Sequence, residues 1–141
     1  MEKDLNTVSM LGQAYSLLGF QIVDGVVGAG FPHKPKHSAV FAQISPDGSR
    51  LTELARKAGM TPQSMAELVD ELVDMGYVVR RPNPHDGRAK LIVLTERGHD
   101  AVAAGRQTIE GLEEHVTDIL GARGHRELRR LLSQLLDATN R

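Results

Sequence analysis

Apolar residues recur at steps of three and four over most of this chain, and at steps of two in one short region. In the first stretch Val8, Leu11, Tyr15, Leu18, Ile22 and Val26 share one helical face, which predicts a helix ending near Gly28 to Gly30. The prolines of FPHKPKH cannot continue it. A short apolar run from His37 to Ile44 follows, and SPDGS reads as a turn. Thr52 is expected to cap a helix running through Lys57, with Leu54 and Ala55 inward and Gly59 as its stop. Thr61 is a good N-cap and Pro62 suits a first helical position, and behind them Met65, Leu68, Val69, Leu72 and Val73 form an apolar stripe up to Gly76. The segment LTELARKAGMTPQSMAELVDELVDMG therefore predicts helix, short glycine-containing turn, helix.

The period then changes to two. Tyr77 to Arg81 is β-branched and aromatic, and Lys90, Ile92 and Leu94 alternate with Leu91 and Val93. Between these strands Pro82 and Pro84 are expected to keep a loop of about seven residues unpaired, longer than the usual hairpin connection of about 2 to 5. Asp86-Gly87 supplies its turn chemistry, so the hairpin extends as a wing. Thr95 caps a long helix with Ile109, Leu112, Val116, Ile119 and Leu120 on one side. A break at Gly121 to Gly124 precedes a last helix bearing Leu128, Leu131, Leu132, Leu135 and Leu136.

The expected fold is mainly α with a small β-hairpin wing: a winged helix-turn-helix plus an N- and C-terminal helical dimerisation layer. Residues 1–36 form the N-terminal helix of that layer and 37–98 the winged module, with its second helix at about 61–75 and its wing at about 77–94. Residues 95–141 form the C-terminal helices. The terminal apolar stripes exceed what the small central module can cover, which favours a homodimer.

Composition narrows the chemistry. A formal net charge of -1 gives no bulk attraction to a polyanion, so any such partner must be met by local charge. The chain has no cysteine, which removes disulfides and thiolate metal sites. His33 and His37 stand four apart, but Pro35 between them breaks the helical geometry that would make the spacing a ligand pair. No metal or other cofactor is expected. Phosphate loops, HExxH and GxSxG are all absent, so no catalytic residue is assigned and the chain reads as a non-enzyme. With no apolar stretch of membrane-spanning length and a polar start, MEKDLNTVSM, it is expected in the cytoplasm without a membrane partner.

The helix-turn-helix and the run GYVVRRPNPHDGRAKLIVLTERG resemble the MarR family of bacterial transcription regulators. The specific part is Asp86-Gly87-Arg88-Ala89-Lys90 followed by Leu94-Thr95-Glu96-Arg97-Gly98, and the order of elements matches from first helix to last. The resemblance implies a homodimeric repressor joined by its terminal helices, binding a palindromic double-stranded DNA operator and released by a small aromatic effector. In relatives the effector sits between the helical layer and the winged module, here Tyr15, Phe20, His33, His37 and Phe41.

Physical chemistry supports parts of this directly. Gln63 and Ser64, behind Thr61 and Pro62, stand in the first turn of the second helix, where side chains reach base edges in a major groove. Gln can pair in bidentate fashion with adenine, and Ser can reach a phosphate. Arg80, Arg81, Arg88 and Lys90 gather cations on the hairpin; Arg88 is expected to enter a narrow minor groove, oriented by a charge-assisted hydrogen bond that its guanidinium donates to Asp86. Against this, the second helix carries Glu67, Asp70, Glu71 and Asp74 and no Lys or Arg, and Glu67 stands near a position where many members of the family are basic. That acidity keeps a second reading open, a winged-helix module that binds protein rather than DNA.

Overall fold

The computed structural model describes residues 4–139; residues 1–3 and 140–141, the outer ends of the expected terminal segments, lie outside the described residues. The chain divides into a unit of residues 1–106 and a unit of residues 107–141.

In the first unit, α1 (Thr7–Gly28) opens where the Asn6 side-chain oxygen accepts the Ser9 N–H at 2.8 Å. It buries Val23 and Val26, whereas Val8, Tyr15, Leu17 and Phe20 are exposed. A single 3-10 turn (Pro35–His37) leads into the one-turn helix α2 (Ser38–Phe41). The expected cap at Thr52 is corrected: Ser49 and Arg50 form a short strand, β1, and α3 (Leu51–Ala58) starts directly after it. Pairing of Ser49 with Ile92 and Arg50 with Leu91 holds Arg50 extended, so helical geometry begins one residue before Thr52.

After Gly59 the chain enters α4 (Pro62–Asp74), with Thr61 as N-cap accepting the Ser64 N–H at 3.1 Å. Met65, Leu68, Val69 and Leu72 are buried on its inner face, against Val40, Leu54, Ala55, Val78 and Ile92. The helix ends in a Schellman turn: the Gly76 N–H donates to the Val73 carbonyl at 3.0 Å and the Tyr77 N–H to the Leu72 carbonyl at 2.9 Å. This turn needs the positive φ of 85° that Gly76 adopts.

The sheet has the order β1-β3-β2, with β2 (Val78–Asn83) and β3 (Asp86–Leu94) antiparallel. Here the long unpaired loop is corrected. Pro82 pairs with Lys90 and Asn83 with Asp86 across a register shift, so only Pro84 and His85 lie between the strands. Proline is tolerated because β2 is an edge strand, where a missing N–H leaves no ladder partner unsatisfied. The wing is a paired ribbon rather than a loop.

Thr95 then begins α5 (Glu96–Thr139) as expected, accepting the Gly98 N–H at 3.0 Å while its hydroxyl donates to the Gly76 carbonyl at 2.6 Å. The second unit continues this helix. Within α5 the one residue of non-helical geometry is Gly121 (φ 75°, ψ 161°), within the break expected at Gly121 to Gly124. His125 spans that kink, with Nδ1 2.7 Å from the Thr117 hydroxyl and Nε2 3.1 Å from a Glu113 carboxylate oxygen. Ile119, Leu128, Leu131, Leu135 and Leu136 are exposed in this unit.

Three side-chain hydrogen bonds hold Glu71 of α4 and Tyr77 to residues 32–37, between α1 and α2. Fully buried His37 accepts the Lys34 N–H on Nδ1 at 2.9 Å, so Nε2 carries the hydrogen and donates to Glu71 of α4 at 2.6 Å. The other Glu71 oxygen accepts from Lys36 Nζ at 2.9 Å. Fully buried Tyr77 donates its hydroxyl to the Pro32 carbonyl at 2.7 Å, and the Arg97 guanidinium lies 4.7 Å from its ring centre.

Gly98 is set by space: a Cβ there would lie 2.1 Å from the Tyr77 carbonyl oxygen and 2.9 Å from a Leu94 methyl. Gly98→Ala is expected to destabilise the fold by about 1–3 kcal/mol. Gly105→Ala, whose new methyl would meet Val26 at an ordinary 3.6 Å, should gain up to about 1 kcal/mol from helix propensity. Equal urea midpoints for the two variants would contradict this packing. A second expectation concerns acid. The hydrogen bond from Lys36, then that from His37, holds the Glu71 carboxyl below its ordinary value of 4.5. A lowered folded-state value contributes stability above the ordinary value and loses it as pH falls through the folded one. Wild type should therefore lose its margin over Glu71→Gln as pH drops from about 6 to about 3, read from urea midpoints at each pH; a margin independent of pH would rule the interaction out.

Candidate nucleic-acid interface

Because Met65, Leu68, Val69 and Leu72 face inward, α4 turns Gln63, Glu67, Asp70 and Asp74 to solvent at helical spacing. Thr61, Pro62, Gln63 and Ser64 are all exposed at its start. Thr61 is occupied as the cap, and its hydroxyl also donates to the Ser64 Oγ at 3.0 Å, which fixes the first turn. The Gln63 carboxamide has no internal partner among the described residues and stands free to bond outward.

The acids on this helix differ in what they meet. Asp70 accepts from Arg80 at 2.6 Å, and Glu71 is held by Lys36 and His37. Glu67 and Asp74 have no ion-pair partner among the described residues. Arg80, grouped with the hairpin cations on sequence, is thus tied to the helix.

On the wing, Arg81 lies on the opposite strand face from Arg80, is exposed, and has no acidic partner among the described residues. Arg88 and Lys90 are likewise exposed and unpaired among the described residues. The role expected of Asp86 is corrected. Its carboxylate accepts the backbone N–H of Arg88 at 3.1 Å rather than binding the guanidinium. A short side chain reaches the amide two residues ahead more readily than the end of a long one, which gives an Asx turn. Asn83 makes the same turn with the His85 N–H at 3.0 Å. Together they brace the tip and leave the Arg88 guanidinium unengaged.

The residues assigned to an effector pocket are distributed unevenly. His33, Phe41 and Tyr77 form a chain of edge-to-face rings with centroids 5.4 Å apart, and His37 is buried. Tyr15 and Phe20 are exposed on α1. Sequence reasoning missed Tyr77 and Arg97 at this junction and Lys36 against Glu71. Each tie joins residues far apart in the chain, and no local pattern signals it.

Residues 34–89 match the MarR family. An HTH-type transcriptional regulator of Mycobacterium bovis is 39% identical over 70 residues, covering 42% of this chain and 49% of the relative, so the match spans about half of that relative's length. The HTH-type transcriptional repressor Rv2887 of Mycobacterium tuberculosis is 33% identical over 88 residues, 62% of this chain and 63% of the relative. Its crystal structure with salicylic acid is similar at a TM-score of 0.69 and 25% identity, over 96% of this chain and 99% of that one. The transcriptional repressor CouR, solved on a 23-mer DNA duplex, shares the fold at a TM-score of 0.66 and 23% identity over 100% of both chains. The family match is thus confined to the winged module and the beginning of its wing, and the likeness over nearly the whole chain is one of fold to solved MarR-family structures.

Proposed function

We propose that this protein is a non-enzymatic, sequence-specific DNA-binding transcriptional repressor that acts as a homodimer on a palindromic operator. The observation that carries the reading is the division of charge on the winged module. Asp70 and Glu71 are engaged by cations of the same chain, while Arg81, Arg88 and Lys90 on the wing are left for an external anion. The start of α4 enters a major groove with Gln63 and Ser64, and Arg88 at the braced tip reaches the adjoining minor groove. The exposed apolar residues of α1 and of the second unit are the surfaces that a second copy covers.

Release by a small aromatic molecule belongs to the same proposal. It is supported by the salicylic acid bound to the Mycobacterium tuberculosis relative and by the ring cluster of His33 and Phe41 beside His37. Tyr15 and Phe20, exposed on α1, would join such a pocket where the second copy covers that helix. To shift DNA affinity, the ligand must bind two dimer arrangements unequally.

The alternative, a module that binds protein, is favoured by one observation: Glu67 and Asp74 are exposed acids without internal partners among the described residues. Fluorescence anisotropy with the promoter duplex beside its own gene separates the two. The regulator reading expects binding far tighter than to an unrelated duplex. Arg88→Ala should weaken it by about 1.5 kcal/mol and flatten its salt dependence by about one phosphate per wing. Salicylate added to the complex should lower the anisotropy. Equal affinity for both duplexes would favour the protein-binding module; an Arg88→Ala variant with unchanged affinity and slope would remove the wing from the interface; no response to salicylate or related phenols, in binding or melting temperature, would remove the effector alone.

A further inference from the structure

On the outward face of α4, Glu67 follows Gln63 by one turn and is the first acid a groove would meet. The two acids behind it are neutralised internally, Asp70 by Arg80 at 2.6 Å and Glu71 by Lys36 at 2.9 Å together with the His37 ring. Glu67 has no such partner among the described residues and is exposed. A carboxylate carried into a groove is repelled by phosphates and by every acceptor on a base edge. The major-groove edges of guanine present acceptors alone, thymine an acceptor and a methyl, and adenine a donor beside the N7 acceptor. Cytosine presents its amine without an acceptor at its side, so it is the base whose edge an ionised carboxylate meets favourably.

We propose that Glu67 is a specificity-determining residue, accepting a hydrogen bond from the N4 amine of a cytosine in each half-site, next to the base pair under Gln63. This rests on the DNA-binding reading above. It turns the acid that weakens general affinity into the group that rejects wrong sequences, because at any other base the repulsion is left uncompensated.

Selection from a random duplex library, run in parallel with wild type, Glu67→Gln and Glu67→Ala, tests it. Wild type should enrich a fixed cytosine in each half-site. Glu67→Gln, isosteric and at an exposed position, should keep its melting temperature and move that base toward adenine, whose donor and acceptor a carboxamide matches. Glu67→Ala should lose preference at that base alone, by about tenfold. If both variants select the wild-type motif and bind every sequence more tightly, Glu67 acts by repulsion only and the assignment is overturned. A wild-type chain that enriches no sequence overturns the DNA-binding reading and this assignment with it.

Discussion

The Glu71 carboxylate, shared between the Lys36 ammonium and the buried His37 ring, is the contact on which the use of this fold depends. It ties the helix that would read DNA to the segment leaving α1, and it engages a negative charge that the same helix would otherwise present. The Asp70–Arg80 pair does the equivalent between α4 and the wing. In a chain of net charge -1, binding to a polyanion cannot come from bulk attraction. It has to come from local separation, with acids paired inside the module and cations released at its edge. Both pairs are partly exposed, so each contributes modestly to stability; their larger effect is on orientation and on which charges remain outside.

The wing shows the same economy of parts. Asp86 and Asn83 spend their side chains on backbone amides, stiffening a two-residue tip, and the Arg88 guanidinium is left unengaged as a result. Had Asp86 held that guanidinium instead, the tip would present a neutral pair.

Most of the helical architecture was legible from apolar spacing and from caps. The stripe of α4, the Thr61 and Thr95 caps and the break at Gly121 all depend on residues within a few positions of one another. What escaped was non-local. Ser49 and Arg50 are extended because they pair with Leu91 and Ile92, some forty residues on, which moved the start of α3 ahead of Thr52. Pro82 and Pro84 suggested a long loop because a local rule cannot tell an edge strand from a central one. The Glu71 contacts span about 35 residues and could not be seen in either partner's neighbourhood. At the candidate site, residue types were readable, but which cations were free and which were already engaged was a property of the folded chain.

The apolar residues exposed on α1 and in the second unit, among them Val8, Tyr15, Ile119 and Leu136, have no place in a lone chain in water. In the proposed homodimer a second copy covers them, and symmetry then presents two reading helices and two wings to one duplex. Hydroxyl-radical footprinting of the promoter duplex tests that arrangement most directly. A paired reader should protect two windows on one face, with centres about one helical turn, roughly 10 base pairs, or a multiple of it apart. A single protected window, or protection without phase along the duplex, would contradict it.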